Sequence, residues 1–277
     1  MVPLKMSSFI SNVFIAFVIF YTVLLIFFYI SQTKLLLHPD KVMLTLHNQT
    51  YEEYKFKSGN FELHGVLSYQ YNNRPIVLFS HGNAGNLSHR VGVMNTFEHL
   101  KLNFFMYDYR GFGLSENQIE KEQDLYEDGL AAWHFLVTQK MIEPSNIIIW
   151  GRSLGAAIAS KIAINHPQAK ALILDCPFSD IKEVGSYHYP YLPISLLTRY
   201  TMDNVASVQK IKMPIVVSHS PNDAIIPFSL GKKVYTAANQ PKLFIELTGG
   251  HNDGFEKSFL HYTSQLEDFL KLNKVLN

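Results

Sequence analysis

The chain predicts an α/β architecture: an open, mostly parallel twisted sheet of about eight strands with helices on both faces. Three observations carry that expectation. Short apolar runs recur along the chain, "PIVLFS", "FFMYDY", "NIIIWG", "ALILDC", "MPIVVSH" and "LFIEL", and runs that lack polar alternation belong to strands covered on both faces. Helical patterns lie between them. Leu125, Gly129, Ala132, Trp133 and Leu136 stand three and four residues apart and give one buried stripe ahead of "NIIIWG". Two earlier segments, "YEEYKF" and "FELHGVLSYQ", read as an antiparallel pair that opens the sheet. In such sheets, ligands bind beyond the carboxyl ends of the strands, so the residues just after each run are where chemistry is sought.

The first element precedes the sheet. Residues 9–30 hold no charged side chain, and at about 1.5 Å per helical residue they reach across a hydrocarbon core of roughly 30 Å. A cleaved signal has a shorter apolar region and a small-residue cleavage site. Here "SQTKLLLHPD" follows, without an Ala-x-Ala site. The reading is a single-pass membrane anchor over residues 1–34, and a second unit over 35–277. Orientation stays open, because Lys5 on one side faces Lys34 and Lys41 on the other.

Composition excludes several classes. A chain of 277 residues, 47% of them hydrophobic, can bury a full core. A formal net charge of +1 and the lack of a basic run give no field to attract nucleic acid. Cys176 is the only cysteine, so no internal disulfide is possible. There is no H-E-x-x-H, no Cys/His ligand cluster and no P-loop, so no metal or cofactor is implied. Asn48-Gln49-Thr50 and Asn86-Leu87-Ser88 fit the glycosylation pattern; the second lies in a loop where a glycan would block the expected site.

The sharpest chemical signal is "NIIIWGRSLGAAIASKIAI", a strand, then Gly151-Arg152-Ser153-Leu154-Gly155, then a helix of small residues. G-x-S-x-G in that context puts Ser153 on a strained strand-to-helix turn as a nucleophile, with glycines where side chains would strike neighbouring backbone. A serine hydroxyl needs a base, and the base an orienting acid. Of twelve histidines, only His251 in "GGHND" both trails the last expected strand and completes the order Ser, Asp, His. For the acid, Asp223 in "SHSPNDAIIP" is favoured, because Pro221 and Asn222 make a turn that lifts its carboxylate out of the sheet; Asp175, at the end of "ALILDC", is the rival. The tetrahedral intermediate carries an oxyanion that backbone N–H groups must meet. Leu154 supplies one, and the loop "HGNAGN" the other, through Asn83 or else Ala84.

These motifs, "FSHGNAGN", "YDYRGFGLSE", "GRSLGAAIA", "HSPNDAIIP" and "GGHND" behind an apolar amino-terminal span, resemble the membrane-anchored serine hydrolases of the α/β-hydrolase superfamily. Within it they resemble the α/β hydrolase domain-containing proteins of the thirteen subfamily, related to the seventeen subfamily; the resemblance covers about residues 35–272. It implies the α/β-hydrolase fold with a short cap, a triad at Ser153, Asp223 and His251, and oxyanion donors at Asn83 and Leu154. Ser220, Ala156, Glu116 and Asn117 depart from the family pattern at loop positions. In "YDYRGFGLSE", Asp108 and Arg110 are expected to tie neighbouring loops together rather than to act on substrate.

The segment at about 178–210 is aromatic and proline-punctuated, and its expected role is the short cap, with an apolar wall suited to an acyl chain. The combined expectation is a membrane-tethered serine hydrolase of small carboxylic esters, thioesters or lipids. Two alternatives stay open: a catalytically silent tethered scaffold, and a serine peptidase or amidase.

Overall fold

A computed structural model describes residues 3–45 and 50–276 of the protein, the side chains of residues 3–7 excepted. The side chain of Lys5 and the Asn48-Gln49 pair therefore lie outside the described residues. Helix α1, Pro3–Leu36, is longer than the apolar stretch that predicts it. Within it, Ser8–Leu36 is long and apolar enough to cross a membrane by length and composition, and none of its most apolar 18-residue window is buried. No linker follows. The Leu37 N–H still bonds the Thr33 carbonyl at 2.9 Å, and His38–Pro39 then pairs in parallel with Ala84–Gly85.

The eight expected strands form one sheet: β1 Glu52–Ser58, β2 Phe61–Ser68, β3 Ile76–Ser80, β4 Asn103–Tyr107, β5 Ile147–Arg152, β6 Ala171–Asp175, β7 Ile215–His219 and β8 Lys242–Glu246. Their spatial order is β8-β7-β6-β5-β3-β4-β2-β1. The β1–β2 and β2–β4 pairs are antiparallel, and every pair from β4 across to β8 is parallel. Because side chains alternate along a strand, the two faces feed separate cores. Ile76, Leu78, Ile147 and Ile149 join Leu125, Trp133 and Ile158 on one side. Val77, Phe79, Ile148 and Trp150 join Phe97, Tyr262 and Leu266 on the other.

Helices α2 (Val91–His99), α3 (Glu122–His134), α4 (Leu154–Asn165), α8 (Phe228–Ala237), α9 (Gly254–Lys257) and α10 (Phe259–Leu272) flank the sheet. Between β6 and β7 run α5, Ile181–His188, α6, Ile194–Leu197, and α7, Asn204–Val208. Here the stretch expected as one cap divides. Asn204 on α7 is fully buried and accepts from Ser160 of α4 at 2.9 Å, so α7 belongs to the core. Helices α5 and α6 lean instead on α1. Gln32 donates to the Leu197 carbonyl at 2.8 Å and accepts from the Arg199 N–H at 2.7 Å. Tyr21 donates to the Tyr191 carbonyl at 2.9 Å, and the Phe28 and Tyr189 rings meet edge to face.

Candidate active site

Ser153 follows β5 directly and adopts φ 55° and ψ −119°, a left-handed backbone that non-glycine residues seldom hold. The flanking glycines make that turn possible. A Cβ at Gly151 would lie 2.2 Å from the Gly155 carbonyl oxygen, and one at Gly155 would lie 2.0 Å from the Ser80 carbonyl oxygen. Both obstacles are main chain and cannot swing aside. Gly155→Ala is therefore expected to lower stability by about 3 kcal/mol, read as a fall in Tm of roughly 6–12 °C; an unchanged Tm would show that the turn has slack.

His251 sits in the loop after β8, with Nε2 3.1 Å from the Ser153 Oγ and Nδ1 2.6 Å from Asp223 Oδ2. The carboxylate accepts, so the proton belongs on Nδ1 and Nε2 is left to accept from the serine hydroxyl. Asp223 lies in the loop after β7, as the turn chemistry predicts. Burial pushes its carboxyl up, but His219, His251 and the Ile226 N–H together hold it well below the usual carboxylate range. The sign follows: its contribution is in place above the unfolded value of about 3.9 and fades only as pH falls towards the depressed folded value. Between pH ~5 and ~8, Asp223 adds no pH dependence.

The rival acid is engaged elsewhere. Asp175 accepts from Ser218 at 2.6 Å, from Tyr262 at 2.9 Å and from the Trp150 indole, while its carbonyl takes the Ser153 N–H at 2.8 Å. Complete burial pushes its carboxyl up to about 6. Asp175 is thus a strut beneath the serine turn.

Asn83 is held from both ends by the segment that terminates α1. Its side-chain amide donates to the Leu36 carbonyl at 2.7 Å, and its carbonyl accepts the His38 N–H at 2.8 Å. Gly82 beside it would put a Cβ 3.7 Å from the Ser153 Cβ, so this loop runs past the serine. Among the described residues, neither the Asn83 N–H nor the Leu154 N–H finds a main-chain acceptor.

Sequence reasoning missed two residues. His219, fully buried, donates through Nε2 to the Ile226 carbonyl at 2.9 Å and stands 3.3 Å from Asp223 Oδ2. Arg152 donates to the His251 carbonyl at 2.8 Å and lies over the Phe255 ring. Its place inside the Gly151–Gly155 pentapeptide was the available signal. Arg152→Ala is expected to loosen the histidine loop and lower kcat about a hundredfold, with Tm nearly unchanged; steady-state kinetics beside a melting curve would read both.

The cleft around Ser153 has a volume of about 560 Å³ and includes His38, Arg90, Arg152, His251 and Glu256 in its walls. Cys176, Asp223 and His251 offer atoms within 4.8 Å of one another. They make a poor metal site, since Asp223 and His251 already bind each other and burial pushes the Cys176 thiol up, away from a thiolate. Asn86 is fully buried and spends its amide on the Asp40 and Val42 carbonyls, so its glycosylation pattern offers no acceptor.

A family model described as serine aminopeptidase, S33, matches residues 71–195. An uncharacterized protein of Mycobacterium tuberculosis, Rv2307c, is 38% identical over 183 residues, 65% of this chain and 63% of that one. Lysophosphatidylserine lipase ABHD12 of Danio rerio is 29% identical, covering 71% of this chain and 57% of that protein. Alpha/beta hydrolase domain-containing protein 17B of Homo sapiens is 33% identical, covering 70% and 65%. The chain thus spans less than two thirds of each of these relatives. Among solved structures, the Pyrococcus furiosus esterase Pf2001 superposes with a TM-score of 0.69 over 85% of this chain and 97% of that one, at 17% identity. Strand order, the turn at Ser153 and these likenesses agree, and the chain belongs to the α/β-hydrolase superfamily, where it resembles the α/β hydrolase domain-containing proteins.

Proposed function

We propose that the protein is a membrane-tethered serine hydrolase of carboxylic esters or thioesters with an acyl or lipid-like substrate. The observation that carries the reading is the chain of contacts from Asp223 through His251 to Ser153, 2.6 Å and 3.1 Å long. Ser153 Oγ attacks the acyl carbonyl carbon while His251 Nε2 takes its proton. Asp223 holds the imidazole and offsets its new positive charge. The N–H groups of Asn83 and Leu154 receive the oxyanion. His251 then protonates the leaving oxygen or sulfur, and water, deprotonated by the same nitrogen, releases the acid from the acyl-enzyme.

Support for an ester-cleaving activity comes from the names of similar proteins, a lipase and an esterase. Support for the tether comes from the exposed apolar length of α1. The description of the matching family model keeps an aminopeptidase as a second reading. Labelling with a fluorophosphonate probe, followed by mass spectrometry, tests the nucleophile: the modification is expected on the peptide that contains Ser153 and is lost in Ser153→Ala. No labelling of the folded protein would favour the silent scaffold. Competing turnover of matched ester, thioester and amide substrates then ranks the chemistries, and a preference for the amide would favour the peptidase.

A further inference from the structure

Beside the polar cleft lies a second, open-sided cavity, of about 290 Å³, between α1 and the cap helices. One wall is Phe28, Gln32, Leu35 and Leu36 of α1; the other includes Val184 of α5 and Leu197 at the end of α6. The two chambers share Asn83 and Ile225 in their linings, so they meet where the reacting carbonyl would sit. Their chemistry differs sharply. The chamber at Ser153 carries Arg90 and Arg152, and burial together with the neighbouring Arg152 pulls the Arg90 guanidinium down to about 10. The chamber along α1 is lined chiefly by apolar side chains.

We infer that the cavity between α1 and the cap holds the acyl chain of the substrate, which makes the apolar amino-terminal helix a wall of the substrate site as well as a tether. The inference rests on the serine-hydrolase reading for the placement of the carbonyl. An acyl chain is the occupant for three reasons. The volume is at the small end for ligand pockets, which start at about 300 Å³, so it suits one chain rather than two. From Phe28 to Leu36 the wall runs about 12 Å at ~1.5 Å per residue, an elongated shape. And the cap beside it turns Tyr187, Tyr191 and Leu196 outward, with Leu196 85% exposed, next to the bare apolar flank of α1. A chain leaving a bilayer along α1 would pass these residues and enter without crossing water, while a polar leaving group would lie in the arginine-bearing chamber.

The test uses the full-length protein in nanodiscs and alkyl fluorophosphonates with ethyl or decyl chains. In wild type, the decyl probe is expected to label Ser153 faster than the ethyl probe. Val184→Trp and Leu197→Trp, which fill the cavity from the cap side, are expected to lower the decyl-to-ethyl rate ratio about tenfold or more. An unchanged ratio in both folded variants would overturn the inference and leave the hydrolase reading intact. If neither probe labels wild type, the hydrolase reading fails instead, and binding of radiolabelled decanoate to Ser153→Ala protein decides the cavity. Saturable binding that Val184→Trp abolishes supports it; equal binding by both proteins, or none, rejects it.

Discussion

Ser153→Ala and His251→Ala are each expected to lower kcat/KM for any accepted ester by about 10,000-fold or more, with folding intact. The two losses should be nearly equal, and the double variant should lose little beyond either, because the hydroxyl and the imidazole act as one unit. Asp223→Asn is expected to cost about 10,000-fold as well. An amide at that position can turn its NH₂ towards Nδ1 and so favour the proton on Nε2, where it cannot accept from Ser153. Steady-state kinetics of the four variants, with melting curves to establish folding, provides the check. Losses that multiply in the double variant would mean that Ser153 and His251 do not cooperate.

The largest expected stability effect lies away from the cleft. Asp128 of α3 is fully buried and accepts from the Arg110 N–H at 2.8 Å, from Arg110 Nη2 at 2.7 Å and from Ser58 at 2.7 Å. It ties the end of β1, the loop after β4 and α3 together. Burial pushes its carboxyl up, and the Arg110 contacts oppose that. Asp128→Ala takes from a buried guanidinium its closest carboxylate and leaves it Asp124 at 3.2 Å, Glu127 at 3.3 Å and the Ser58 hydroxyl at 3.3 Å. Removing one member of such a buried pair costs about 3–5 kcal/mol, roughly 10 °C or more in Tm for a domain of this size. The paired change Arg110→Met with Asp128→Leu should recover only part of that loss, since it removes the Arg110–Asp128 pair but leaves the buried Asp124 carboxylate without its cation. A fall of less than ~2 °C in the single variant would show that water reaches Arg110.

Both expectations start from motifs visible in the sequence, and the reasons differ. Strands β3 to β7 were legible because a strand covered on both faces has nowhere to put a polar side chain, so "VLF" and "IIIW" declare themselves, whereas the edge strand β1 is mostly exposed and was read as half of an antiparallel pair. Ser153 was legible because its backbone needs glycine two residues away on either side. The choice of Asp223 over Asp175 rested on turn chemistry, and the structure brings Asp223 to His251 while Asp175 faces Trp150, Ser218 and Tyr262. His219 was not legible: a histidine ending an apolar run looks the same whether or not it touches a carboxylate 3.3 Å away. Nor was the division of the expected cap, because hydropathy around Asn204 does not reveal that α4 is its neighbour. The apolar length of α1 pointed to a membrane but gave no sign that its last turns would pack on α6.

That union has a mechanical consequence. A tethered enzyme on a flexible leash would roam a hemisphere above its attachment point, meeting soluble and membrane-borne molecules alike. Here Leu36 ends the helix, and His38 already pairs with Ala84 beside the serine. There is no slack. On the tether reading, the nucleophile rides at one fixed altitude and tilt, like a stylus on a rigid arm, and what it can reach is decided by depth in the lipid as much as by chemistry. Inserting a flexible spacer after Leu36 would turn that arm into a leash.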